Sequence, residues 1–251
     1  MRVLKVTLEG ITTSFRYPHF MMGVQPSFPM PPPATIYGLI CSALGEWVDP
    51  AGVEFAYHFT FQGKGEDMEH IHVLSASSGK VPNSSYPKVL EGGVNPFRRE
   101  LLLYPRLVLY LNRPEWESAF HSPYYPVVLG RSQDLCSYTS IQVIDLVTSE
   151  QVYFEHTLLR YDMATRAAVG IVTLMPRWLD YKRNRRPFFA RYLLLQRRIK
   201  AQTDLLQFGA SAGGYLADPT APEIDGLPLG LVFHNFIGDA HESLTVAGLS
   251  E

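Results

Sequence analysis

Pro31-Pro32-Pro33-Ala34-Thr35-Ile36-Tyr37-Gly38-Leu39-Ile40-Cys41-Ser42-Ala43-Leu44-Gly45 is the stretch on which the fold turns. Ile36, Leu39, Ile40, Ala43 and Leu44 fall at i, i+3, i+4, i+7 and i+8, one apolar helical stripe. Pro33 suits the first turn, where its missing N–H would be unpaired in any case. Gly45 is a natural C-terminal stop. A helix this short needs a surface to lie on, and its flanks supply one. Upstream, residues 2–9 alternate: Leu4, Val6 and Leu8 point one way, Lys5 and Thr7 the other, as in a half-buried strand. Residues 16–33 between them are irregular and proline-rich.

Downstream, residues 53–62 and 70–76 predict strands split by a polar turn at 63–67. Residues 77–95 are rich in Gly, Pro, Ser and Asn, and are too long for an ordinary loop. Residues 101–111 predict another strand, with Pro105 at an edge or bulge. A short helix over 114–120 and a short strand over 125–129 follow. The order is strand, helix, strand, strand, helix, strand. That is the βαββαβ pattern of an α+β, ferredoxin-like domain, the architecture of RNA-recognition modules, interrupted by a projecting excursion at 77–100. Beyond it, 151–161 and 169–175 predict paired strands and 229–236 a last one. A linker is placed near 132–150. The expected organisation is a domain over 1–140 and a β-rich extension over 141–251 packed on it.

The 251 residues are 46% hydrophobic and 18% charged, which excludes disorder as the main state. The net charge of −2 argues against a uniformly basic nucleic-acid binder, but it hides an uneven distribution. Residues 177–200 hold nine of the 22 basic residues and one acid, Asp180; residues 201–251 hold seven acids and no Lys or Arg. Such asymmetry points to a polyanionic partner. Two cysteines, Cys41 and Cys136, without metal-ligand spacing, argue against a disulfide scaffold and a structural zinc site. No signal peptide and no membrane-length apolar run is read, so a cytoplasmic protein with no membrane partner is expected.

Four segments offer nucleic-acid contacts. In the basic segment, Lys182, Arg183, Arg185, Arg186 and Arg191 can pair with phosphates. Trp178, Tyr181, Phe188, Phe189 and Tyr192 are interleaved with them, and unpaired bases stack on such rings. Cations in a solvated face with rings turned to the core are the competing reading. The excursion carries Lys80, Lys88, Arg98 and Arg99. Gly130-Arg131-Ser132-Gln133-Asp134 can hold a phosphate on a glycine turn, or be an ordinary strand-ending turn. Arg16, Tyr17 and His19 precede the proline run. His70 and His72 share a strand face, but no third metal ligand has convincing spacing. No hydrolase, nucleotide-binding or dinucleotide-binding glycine motif is present, and no cofactor or metal is expected.

The proline-led helix and the stretch Ser122-Pro123-Tyr124-Tyr125-Pro126-Val127-Val128-Leu129-Gly130-Arg131-Ser132-Gln133-Asp134-Leu135 resemble signatures of the CRISPR-associated Cas-five family, a branch of the RAMP superfamily. The resemblance covers roughly the first 140 residues. It implies an RNA-recognition-like fold with an inserted thumb hairpin, mapped to about 77–105. It implies a subunit of the type I Cascade surveillance complex that caps the 5′ handle of the guide RNA (crRNA) and links the backbone and large subunits near the end where the target DNA's flanking motif is read. Target reading is then left to guide–target pairing. The handle is expected against the first-helix entry, the thumb base and the Gly130–Asp134 turn. One subtype of the family also cuts precursor RNA with tyrosine, lysine and histidine. No adjacent Lys-His pair occurs here, so no catalysis is expected. The alternatives are a metal-independent endoribonuclease and a general single-strand RNA-binding module.

Overall fold

The computed structural model describes residues 1–18, 20, 23–88, 90–163, 169–201 and 214–237. His19 lies outside the described residues. The chain opens with strands β1 (Arg2–Gly10), β2 (Thr12–Thr13) and β3 (Val24–Gln25), then helix α1 (Pro33–Leu44). Next come β4 (Glu54–Thr60), β5 (Gly63–Ala76), β6 (Leu90–Leu103) and β7 (Arg106–Leu111). A 3-10 turn (Pro114–Trp116) leads into α2 (Glu117–His121) and β8 (Cys136–Asp145). The remaining strands are short except for one hairpin: β9 (Val147–Ser149), β10 (Val152–Phe154), β11 (Thr157–Arg160), β12 (Ile171–Asp180), β13 (Arg186–Leu195), β14 (Ile199–Ala201), β15 (Tyr215–Asp218), β16 (Leu229–Leu231) and β17 (His234–Asn235).

The central sheet has the order β17-β4-β7-β1-β8, and its neighbours run antiparallel. Helix α1 forms where the period of the sequence requires it. Pro33 sits in its first turn, and Gly45, at φ 79°, ends it with an N–H···O bond to Cys41 of 2.9 Å. Ile36, Leu39 and Ile40 pack with Leu4, Val6 and Leu8 in one apolar core. Each such buried side chain contributes roughly 1.5–3 kcal/mol. Tyr37 and Cys41 are buried too, because β12 and β13 cover the helix from the other side, adding Met175, Ala190, Tyr192 and Leu194 to the same core.

The half-buried first strand is a point of correction. A second sheet, β14-β10-β16-β15-β9, belongs with the opposite face of the central one. Val3, Val108, Tyr110 and Ile144 form a core there with Leu229 and Leu231. Lys5 is therefore only 12% exposed and ion-paired at 2.6 Å with the buried Asp218, which also accepts from the Tyr110 hydroxyl at 2.7 Å.

Other expectations shift as well. The predicted turn at 63–67 is strand: β5 and β6 form one long hairpin, in register from Gly63↔Leu103 to Ala76↔Leu90. Fourteen residues per arm give a length of about 45 Å. The arm thus begins earlier than residue 77. Its base is anchored by β2 and β3, both paired to β6. The expected linker at 132–150 contains β8, paired along all of β1, and residue 140 lies inside that strand. Residues 125–129 form no strand, only a bridge from Val128 to Leu135. β11 and β12 do not pair with each other; both pair with β13. Among the described residues no helix is long and apolar enough to cross a membrane.

Candidate nucleic-acid interface

Three stretches far apart in sequence converge on one open cleft of about 590 Å³. The entry to α1 contributes Pro32 and Thr35. The thumb base contributes Glu69, His70 and Arg99. The turn after the second quoted motif contributes Gly130, Arg131, Ser132 and Gln133, while Ser14 and Arg16 close the side.

Local chemistry explains why each piece sits there. The proline run cannot continue a ladder, and Tyr57 donates to the Pro31 carbonyl at 2.9 Å, fixing the chain as it enters the helix. Arg16 lies on a bridge to Ser27 with its side chain exposed. Gly130 has φ 92°, and a Cβ there would lie 2.6 Å from the Ser14 carbonyl oxygen, so the turn can press against β2 only as glycine. Asp134 is buried inside the turn and accepts from the Thr12 hydroxyl at 2.8 Å.

The arginines do not share one role. Arg131 grips Asp134 in bidentate fashion, at 2.8 Å from both Nε and Nη2, and donates a third bond to Glu69 at 2.6 Å. Its guanidinium is held firmly charged by the Asp134 bonds and then by Glu69, against the opposing effect of burial. Arg99 donates to the other Glu69 oxygen at 2.5 Å and is only 8% exposed. Burial pushes the Glu69 carboxyl up, but the bonds from Arg99 and Arg131 outweigh it and hold it below its ordinary value. This Arg99–Glu69–Arg131–Asp134 chain carries no net charge. It ties the thumb base to the turn, with a further bond from the Gln133 amide nitrogen to Glu69 at 3.3 Å, while Arg16, Ser132, Thr35 and His70 line the rest of the cleft.

The expected residues are thus partly gathered. Arg16, Arg99, Arg131, Ser132 and Gln133 line the cleft. Tyr17 does not; its half-buried ring packs on Phe28, centroids 3.6 Å apart. Arg98 is exposed beside Glu66 at 3.8 Å. Lys80 and Lys88 lie in the segment joining the thumb strands, beyond the cleft. Glu69, Ser14 and Thr35 carried no sequence signal. Glu69 meets partners 30 and 62 residues away, which no local pattern encodes.

In the basic segment the aromatics divide: Trp178, Tyr181 and Tyr192 pack into or against the core and are not free stacking platforms. On β13 the period of two sends Ala190, Tyr192 and Leu194 to one face, into the core that α1 shares. Trp178 stacks on Phe188, centroids 5.6 Å apart, and Tyr192 is buried. Of the cations, Arg177 is buried and donates to the Asn235 carbonyl at 3.0 Å, while Arg198 pairs with Glu155 and Lys200 with Asp225. Lys182, Arg183, Arg185, Arg186 and Arg191 remain exposed on the β12–β13 hairpin.

No family model matches the chain, and no curated protein sequence matches it. Solved structures do. The chain is similar to one from a structure titled "CRISPR RNA-guided surveillance complex", with TM-score 0.50 and 13% identity over 81% of this chain and 92% of that one. A "Crystal structure of Cas protein" overlaps at TM-score 0.41 and 16% identity, covering 82% and 98% of the two chains. A type III-B Cmr-beta complex bound to cognate target RNA and AMPPnP overlaps at TM-score 0.41 and 12% identity, covering 80% and 86%. The first of these likenesses is one of fold.

Proposed function

We propose that this chain is an RNA-binding subunit of a CRISPR effector complex, and that its cleft grips the 5′ handle of the guide RNA. The observation that carries this is the convergence of the α1 entry, the thumb base and the Gly130 turn on one cleft. The fold likeness to a chain of a surveillance complex supports the setting. The strand order β4-β7-β1-β8, with α1 and α2 in the two crossovers and the hairpin inserted between β4 and β7, supports a ferredoxin-like βαββαβ core of the RAMP type.

The division of labour in the cleft follows from charge. A neutral, hydrogen-bonded floor fixes geometry, and Arg16 supplies the cation at the rim. Ser132 offers a hydroxyl to phosphate or base edges, and Gln133, its amide nitrogen held by Glu69, offers its amide oxygen to base edges. Splayed single-stranded RNA is read through such exposed polar edges. In this reading the thumb and the basic hairpin meet the backbone subunit, the large subunit and target DNA. Precursor processing belongs to a separate enzyme.

Competition binding tests the reading. The purified chain is expected to prefer a handle-bearing guide over scrambled RNA of equal length. Indifference between them would assign the cleft to general single-strand binding. Specific cleavage of repeat RNA in EDTA, lost in His70→Ala, would replace the non-catalytic reading with an endoribonuclease.

A further inference from the structure

We infer a second nucleic-acid site at the other end of α1, where an unpaired base stacks against Trp47 while the β12–β13 hairpin holds the flanking phosphates. It rests on the nucleic-acid reading above but uses a different surface from the cleft. A small pocket of about 240 Å³ opens there, lined by Trp47 and Tyr125, by Gly38, Cys41, Ser42 and Gly45, and by the carboxylate-bearing Glu46.

The aromatics are displayed, not buried. Trp47 is 59% exposed, Tyr124 71% and Tyr125 53%. They are also held in place. The backbone N–H groups of Tyr124 and Tyr125 bond the last carbonyls of α1, Ala43 at 3.0 Å and Ser42 at 3.2 Å. Gly45 lets the Tyr124 ring lie where a Cβ would meet it at 2.5 Å. Trp47 stacks on Tyr181, centroids 3.3 Å apart, and the Arg185 guanidinium lies 5.6 Å over that same Tyr181 ring. The hairpin tip is thereby pinned beside the pocket.

The electrostatics select the occupant. A helix C-terminus disfavours phosphate, and so does the Glu46 carboxylate in the lining, so this end of α1 offers a surface for a base and not for its backbone. The cations come from the hairpin: Lys182, Arg185 and Arg186 are exposed there. Exposed rings beside exposed cations are the combination that binds single strands through stacking and phosphate pairing. Arg185 also occupies a left-handed conformation, φ 57°, next to Asn184 at φ 52°. Glycine or asparagine fits such a turn at less cost than arginine. An arginine held there against its backbone preference, with its side chain over Tyr181, is placed by its side chain's task.

Photocrosslinking with short single-stranded RNA and DNA oligonucleotides carrying 5-bromouracil tests the site on the full chain. Crosslinks at Trp47 or Tyr125 are expected, and the RNA and DNA arms show which strand is preferred. Trp47→Ala removes an exposed side chain and is expected to weaken binding about tenfold, within the range for losing one stacked base. Arg185→Gly relieves the turn and so leaves the melting temperature unchanged or raised, yet it is expected to weaken binding too. Wild-type affinity in both variants would overturn the site while leaving the cleft reading intact. If Trp47→Ala binds oligonucleotides normally but no longer joins its protein partners, the surface is a protein interface and the proposal fails. If the wild-type chain binds no oligonucleotide, both readings fall together.

Discussion

Arg131 and Glu69 meet at 2.6 Å although 62 residues separate them, and this contact ties the thumb to the turn that completes the cleft. Glu69 also holds Arg99, so one carboxylate satisfies two largely buried guanidinium groups. Glu69→Ala leaves both without that partner. The expected loss is about 3 kcal/mol, the lower end for a broken buried pair, because Glu69 is itself 20% exposed. Urea unfolding measures it. The folded-state carboxyl lies below its ordinary 4.5, so this stabilisation is complete above that pH and is lost as pH falls through the folded value. The variant should flatten that acid limb.

Gly130→Ala is expected to destabilise by at least ~2 kcal/mol, since its φ of 92° is left-handed and the added methyl meets Ser14 and Thr13. RNA affinity should fall along with thermal stability, because the turn can no longer seat on β2. Differential scanning calorimetry and filter binding on one preparation report both.

One half-buried and one buried histidine, His58 and His234, set a separate pH dependence. Burial, and then the neighbouring His156, pull His58 down from 6.5 to about 4. Burial likewise pulls His234 to about 4, although the Leu158 carbonyl at 3.0 Å opposes it. The unfolded chain takes up these protons near 6.5 and the folded one refuses them until about 4. Stability is therefore full above 6.5 and declines as pH falls through that window. Denaturant midpoints between pH 7 and pH 4 check this, and His58→Gln should make the decline shallower.

Cations at the two surfaces are separable by salt. Arg16→Ala should weaken RNA binding and make its salt dependence shallower by about 0.7, the value for one lost single-strand phosphate contact. Arg185→Ala with Arg186→Ala should lower the slope by about twice that. An unchanged slope in the double variant would assign those arginines to a solvated face or a protein interface.

Much of this was legible in local sequence. The α1 stripe, with Pro33 and Gly45 at its ends, is encoded within fifteen consecutive residues and appears as expected. Arg16, Arg99 and Arg131–Gln133 stand out by local chemistry, and all line the cleft. What failed depended on distant partners. The extension of the hairpin back to Gly63 depends on β6 continuing to pair across to Leu103. Strand β8 was hidden because its alternation is weak and its order comes from β1. Many arginines stand beside the aromatics of 178–192, yet Tyr192 is buried in the core that α1 shares and Trp178 and Tyr181 pack against it. Trp47 carries no local signal, because its setting comes from Tyr181, far along the chain.

The central claim is that the cleft between the α1 entry, the thumb base and the Gly130 turn holds the 5′ handle of a guide RNA. Crosslinking of the purified chain to a guide bearing a photoreactive handle, mapped by mass spectrometry, tests it most directly. The account predicts adducts at residues 14–16, 70 and 131–133, competed away by handle-bearing RNA and not by scrambled RNA. Adducts lying only outside the cleft, or equal competition by scrambled RNA, would contradict it.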